Sequence, residues 1–404
     1  MDDKIKWYSD ARYGMFVHWG AYSAGERGEW VMNRERISKD EYIEKFVSNF
    51  TAEDYDPEQW AKFARKCGFG YVVLTTRHHD GFALWDSEIN EFNAVKFGPK
   101  RDLIRPYVEA LRAEGIKVGF YYSPASWTNP DYPGAFFRDW PGENDWADAR
   151  ARQRFIAYYR TELRELMTNY GKIDYLWFDG CIPENIAGDE TLKMVRSWQP
   201  DIIVNNRLGG PFDIKTCEQT VNPPADENQW WEACLTLNDS WGYTPNDRNW
   251  KTPYQVIALL LKCTSKCGNL LINVGPDAKG NIPEDSAKIL LEVGSWLEKN
   301  REVLTADVRS PFSWSSCVKF PGVRGNRVYL PVKHETSSLC WSELKNKALQ
   351  VTQLDNGKIL PFEQNEGGLF ISDIEYSGLW TILAVDVEGT PEPITAQTTF
   401  WIPN

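Results

Sequence analysis

The sequence predicts an α/β chain, a (β/α)8-type barrel followed by a C-terminal all-β sandwich, and three observations carry that prediction. From Arg12 to about residue 300, apolar runs of strand length alternate with segments of helical periodicity. Several of those runs end in polar side chains, as strands do at the mouth of a parallel barrel. Beyond about residue 303 the pattern changes to short alternating runs such as VRGNRVYLPVK and GLWTILAV, separated by Gly, Asn, Asp and Pro. The expected domains are therefore 1–302 and 303–404. No GxGxxG turn follows the first strand, which argues against an open dinucleotide-binding sheet.

Taken in order, RYGMFVHWG is the first strand and ends at His18 and Trp19, before a Gly-rich loop with Glu29 and Trp30. In YDPEQWAKFARKCG, the spacing of Trp60, Phe63 and Ala64 predicts a helix. Tyr71 to Thr75 is a strand followed directly by Arg77, His78, His79 and Asp80. A helix from about Leu103 is stopped by Gly115, and a third strand ends at Tyr121, Tyr122 and Ser123. Residues 148–169 form a long amphipathic helix leading to DYLWFDG, an apolar run that ends in Asp179 and Gly180. A helix near 190–198, a strand ending at Arg207, a less regular segment around Glu218 and a strand start or loop at Glu232 follow. The helix 254–266, the strand GNLLINVGP and a helix opened by Pro283 complete the barrel.

Composition narrows the function. Forty-two per cent hydrophobic residues support a full core, and a net charge of −12 repels polyphosphate and anionic lipid, so neither nucleic acid nor membrane is an expected partner. The amino terminus has no apolar segment after a basic start, and no window is long and apolar enough to span a bilayer; the expectation is a soluble, cytoplasmic chain. The eight cysteines lack a zinc-like double CxxC spacing and are expected to be free, mostly buried thiols of a reducing compartment. Nineteen tryptophans, with 18 Tyr and 19 Phe, suit either a large aromatic core or stacking platforms for carbohydrate.

Asp179 is the central chemical candidate. By two-residue alternation Trp177 shares its strand face, placing a carboxylate beside a flat apolar surface of the kind that receives a sugar ring. Three of the four histidines, His18, His78 and His79, fall at predicted strand ends, and with Tyr122 and Arg207 they offer directional hydrogen bonds to hydroxyl groups. His-His-Asp could supply metal ligands, but adjacent side chains point apart, and no metal or other cofactor is expected. Cleavage of a glycosidic bond needs a second carboxyl group. Glu218 and Glu232 both qualify by position, and the flanking Trp230 and Trp231 favour Glu232, because desolvation raises a carboxyl pKa as a proton donor requires.

The motifs RYGMFVHWG, TTRHHDGFALWDS, GFYYSP, LWFDG, VNNR, SWGY and CGNLLINVGP, in this order, resemble the α-L-fucosidases of glycoside hydrolase family 29 over about residues 7 to 300. The resemblance implies a retaining, exo-acting hydrolase of terminal α-L-fucosyl residues on a glycan or glycoconjugate, working through a covalent fucosyl-enzyme intermediate without a metal. By that similarity Asp179 matches the nucleophile. His18, Glu29, Trp30, His78, His79, Tyr122, Trp177 and Arg207 match residues holding the sugar, and Trp241 borders the pocket. The proton donor does not carry over to a single position, being the Glu of a motif like KTCEQ in some members and of one like WWEAC in others. The alternatives are a retaining enzyme for a related sugar such as an α-L-galactoside, a non-catalytic carbohydrate-binding barrel, and a metal-dependent hydrolase built on His-His-Asp. The sequence leaves a homo-oligomer open and does not select a linkage.

Overall fold

The computed structural model describes residues 3–132, 149–180, 186–312 and 318–394. Eight parallel strands form one curled sheet: β1 (Tyr13–Val17), β2 (Tyr71–Arg77), β3 (Lys117–Tyr122), β4 (Tyr175–Phe178), β5 (Ile203–Val204), β6 (Lys215–Glu218), β7 (Trp231–Leu235) and β8 (Asn269–Val274). Their order is β5-β4-β3-β2-β1-β8-β7-β6. The segments flanking the two edge strands meet in one parallel bridge, Asn205 to Ile214, and the Asp213 and Ile214 amides donate to the Val204 carbonyl, which draws the ring together there. Most of these strands are buried along their whole length, which is why they read as continuous apolar runs rather than alternating ones.

Helices follow β1, β2, β3, β4, β7 and β8, as expected. The helix Pro57–Lys66 shows the local logic: Asp56 accepts a hydrogen bond from the Gln59 amide, and Pro57 fills the first position, where no backbone donor is needed. Between β5 and β7 the alternation lapses. Only a short 3-10 turn, Asn206–Leu208, lies there among the described residues. Gly209, Gly210 and Pro211, then Pro223 and Pro224, deny a helix the run of residues it needs.

The chain divides into two compact units, residues 1–253 with 269–294, and residues 254–268 with 295–404. This division is discontinuous, unlike the single cut after residue 302. The helix Pro253–Thr264 falls almost entirely in the second unit, where Tyr254 stacks on Trp380 at 5.0 Å and accepts its indole N–H at 3.0 Å. The rest of that unit holds two antiparallel sheets, built from β9 (Gly322–Arg324), β10 (Arg327–Val332), β11 (Leu339–Trp341), β12 (Ala348–Gln353), β13 (Phe362–Asn365), β14 (Gly368–Ile371) and β15 (Thr381–Val387). Their orders are β12-β15-β10-β9 and β11-β14-β13, and Leu330, Val351 and Leu383 of one pack with Trp341, Leu369 and Ile371 of the other in a common core.

Cys67 and Cys234 are buried free thiols, Cys217 is half-buried and Cys340 exposed, while Cys263 is buried and Cys267 half-buried. Cys181 and Cys317 lie outside the described residues. Among the described residues no helix is long and apolar enough to cross a membrane.

Candidate active site

At the carboxyl ends of the barrel strands lies a cavity of about 220 Å³. That is below the ~300–1,000 Å³ of sites for drug-sized ligands and suits one small ring rather than an extended chain. Every residue singled out from the sequence except Tyr122 and Glu232 lines it: His18, Glu29 and Trp30 from the first unit of the barrel, His78 and His79 after β2, Trp177 and Asp179 at the end of β4, then Arg207, Glu218 and Trp241. Phe16 and Gly180 complete the wall. Gly180 has φ +100°, and a Cβ there would stand 3.2 Å from His79 Cε1; glycine lets the chain turn away behind Asp179 without crowding the imidazole.

Asp179 is held at both oxygens. Arg207 Nη1 donates to Oδ1 at 2.6 Å and the Tyr121 hydroxyl to Oδ2 at 2.8 Å, while His79 Nε2 stands 3.7 Å from Oδ2. Burial works to raise its pKa, but the Arg207 guanidinium, helped by His79, the Gly180 amide and Tyr121, holds it below the usual carboxylate value. An ionised carboxylate is thus kept at the cavity wall with its side chain mostly buried. The second terminal nitrogen of the same guanidinium, Nη2, donates to Glu218 Oε2 at 2.6 Å. One arginine fork spans both carboxylates, and it lies over the Trp177 indole at 4.7 Å from the ring centre.

The histidines are neutral acceptors and donors rather than charges. Burial lowers His18 and His79 to about 4, and pushes His78 down as well. Asn273 Nδ2 donates to the Trp241 carbonyl at 2.7 Å, which turns its Oδ1 toward His18 Nδ1 at 2.7 Å. His18 therefore carries its proton on Nδ1 and leaves Nε2 as an acceptor for a ligand hydroxyl. His79 Nδ1 pairs with Ser123 Oγ at 2.6 Å. Glu29, pushed up by burial, accepts the Gly242 amide at Oε2.

His78, His79 and Asp179 bring three potential ligand atoms within 4.8 Å of one another. The donor set suits a divalent cation poorly, because both Asp179 oxygens already accept hydrogen bonds and a full guanidinium charge sits 2.6 Å from one of them.

The α-L-fucosidase family pattern matches residues 2–302. The chain belongs to the α-L-fucosidase family. It is 31% identical to the plasma α-L-fucosidase of Homo sapiens over 332 residues, 74% of this chain and 68% of the human protein. Among solved structures, α-L-fucosidase isoenzyme 1 from Paenibacillus thiaminolyticus superposes with a TM-score of 0.85 at 35% identity, covering 96% of this chain and 99% of that one. A Bacteroides thetaiotaomicron family 29 α-L-fucosidase, trapped as a covalent intermediate with 2-fluoro-fucosyl fluoride, matches at 0.84 and 25% identity over 96% and 97%. With membership comes the class of enzyme, a glycoside hydrolase of retaining mechanism.

Three expectations about this fucosidase site need correction. Glu232 is fully buried and absent from the cavity wall. It is the second residue of β7, so it lies at the opposite end of the barrel from Glu218, the last residue of β6. Its apolar neighbours do raise its pKa, to about 7 through burial, but in the barrel floor. Tyr122 also faces the wrong way. Its hydroxyl donates to Glu162 at 2.6 Å and receives Arg77, in a buried ion pair of Arg77 and Glu162 on the outer face of β3. The adjacent Tyr121 points inward and reaches Asp179. Third, Trp177 is not an open platform: only 2% exposed, its ring is packed by Tyr121, Phe16 and Arg207. The half-buried Trp30 and Trp241 are the more open aromatic surfaces of the cavity.

Proposed function

We propose that this family member releases terminal α-L-fucosyl residues from glycans or glycoconjugates with Asp179 as nucleophile and Glu218 as acid/base. The observation that supports the assignment is the shared guanidinium: Arg207 presents two carboxylates to one small cavity, and retaining enzymes need their pair only ~5–5.5 Å apart. In the first step an Asp179 oxygen bonds to the anomeric carbon as the bond to the leaving oxygen breaks and that oxygen takes the Glu218 proton. In the second, Glu218 accepts a proton from water, whose oxygen displaces Asp179 and restores the α configuration. Glu29, His18, His78 and His79 hold the ring hydroxyls, with Trp30 and Trp241 at its apolar faces.

The neighbouring rings of Phe16, Trp177 and Trp241, with centroids 5.0 to 5.9 Å from Phe16, make an apolar corner for the C6 methyl group. A C6 hydroxyl there would lack a partner, which favours fucose over L-galactose. A hydroxyl in an apolar pocket is rejected by about 10²-fold, so kcat/KM for nitrophenyl α-L-fucoside should exceed that for the α-L-galactoside by about that factor. The first sugar released, followed by NMR, should be the α anomer. Equal rates on the two glycosides, or β-fucose as the initial product, would defeat this reading. A reducing compartment belongs to the same proposal and is supported by the free thiols of Cys67, Cys217, Cys234 and Cys340. Alkylation of the protein denatured without reductant should label every cysteine, and a protected pair would count against it.

A further inference from the structure

Glu232, set aside as proton donor, sits in an arrangement that the reaction as described does not use. Four hydrogen-bond donors converge on its carboxylate. Trp177 Nε1 at 3.0 Å and the Tyr175 hydroxyl at 3.3 Å share Oε1, and the hydroxyls of Tyr71 and, at 3.3 Å, Tyr8 share Oε2. All of these groups are buried. The donors come from β2, β4 and the N-terminal helix Asp3–Ala11, so one side chain on β7 ties together distant parts of the barrel floor. Gly14 on β1 makes room for it, since a Cβ there would lie 2.3 Å from the Tyr71 ring. A glutamate this deep is costly for stability compared with an apolar residue of similar size. Its geometry points upward to the site, because Trp177 is the ring against which Arg207 lies.

We propose that Glu232 is a positioning residue: by gripping the Trp177 indole from below, it fixes the surface that aims the Arg207 fork at Asp179 and Glu218. The chain of contacts is continuous, from the Glu232 carboxylate through the indole N–H, across the ring to the guanidinium, and from there to both carboxylates. The inference rests on the fucosidase reading above and adds to it a residue that touches no substrate. Loss of the grip lets the indole shift, and a displacement of about 1 Å in a group that aligns reacting atoms costs up to ~10²-fold in rate.

The test compares Glu232→Leu, Glu232→Gln and Trp177→Phe on nitrophenyl α-L-fucoside, with folding checked by circular dichroism. Glu232→Leu, which loses the carboxylate, and Trp177→Phe, which loses the indole N–H with part of the ring, should each lower kcat about 10- to 100-fold, with little change in KM for Glu232→Leu, and the double variant should be no worse than Trp177→Phe alone. Glu232→Gln keeps an acceptor oxygen for the indole and should recover most of kcat. A purely structural residue would not move the pH profile, whereas this one should. Asp179 is faced by Arg207, His78, His79 and Tyr121, with His18, Glu29 and Glu218 across the cavity, and Arg207 is the main group that keeps it ionised. Displacing Arg207 raises the Asp179 pKa, so the acid limb of kcat/KM should move to higher pH in Glu232→Leu and in Trp177→Phe. A folded Glu232→Leu enzyme with wild-type kcat and an unmoved acid limb would overturn the inference. Were Glu232→Leu not to fold, an unmoved limb in Trp177→Phe would overturn it equally. Inactive wild-type enzyme on the fucoside would instead strike at the fucosidase reading itself.

Discussion

Replacing Asp179 by Ala should reduce kcat by about four orders of magnitude or more, since the covalent route needs an oxygen nucleophile on the face of the sugar opposite the leaving group. The fold should survive. Asp179 follows the last residue of β4, and that strand is held by its ladder and by the Asn205 side chain, which bonds both the Phe178 amide and its carbonyl at 2.8 Å. Removing the carboxylate leaves Arg207 with Glu218 as its partner, so no buried cation is stranded. Sugar binding through Glu29 and the histidines should persist. The measurement is turnover of nitrophenyl α-L-fucoside beside fucose binding by calorimetry; turnover within tenfold of wild type would remove Asp179 from its role.

Glu218→Ala should lower the rate by about 10²–10⁴-fold on substrates with poor leaving groups, the usual worth of general acid catalysis. With a nitrophenolate leaving group, which needs little protonation, the first step should be nearly spared and the second should become limiting. Azide should then restore turnover and give a fucosyl azide of α configuration, because the small nucleophile fits where Glu218 had activated water. The same pattern must be sought in Glu29→Ala, since Glu29 is the other carboxyl group of the cavity. Glu29 is anchored to the Gly242 amide, whereas Glu218 is bonded to the same arginine as the nucleophile. Azide rescue of Glu29→Ala and not of Glu218→Ala would transfer the acid/base role to Glu29.

The legible part of this site was the part in which chemistry-bearing side chains close apolar runs. Asp179, His18, His78, His79 and Arg207 all follow buried strands, and strand polarity alone delivers them to one mouth. What failed depended on parity and depth. Tyr121 and Tyr122 are the same residue type side by side at a strand end; which faces inward is decided by the register with β4, where Tyr121 pairs with Trp177. Between the two glutamates, hydrophobic neighbours indicated burial correctly but said nothing of which end of the barrel was buried. The deciding signal was present in KTCE, where Glu218 ends a strand. Lys215 and Glu218 are exposed, so that strand lacked the apolar signature of its neighbours. The division of the C-terminal unit was hidden for another reason: the helix Pro253–Thr264 is apolar enough to suit any core, and partners far later in the sequence, Trp380 and the Lys333 carbonyl, assign it.

The retaining route depends first on the atom that attacks the sugar. Incubation with 2-fluoro-fucosyl fluoride should slow release of the covalent adduct enough for peptide mapping by mass spectrometry. One added fluorofucosyl group per chain is expected, on the peptide containing DYLWFDG and esterified to Asp179, with Glu218 and Glu29 unmodified. A label on either glutamate, or on no residue while the fluoride is still consumed, would contradict this expectation.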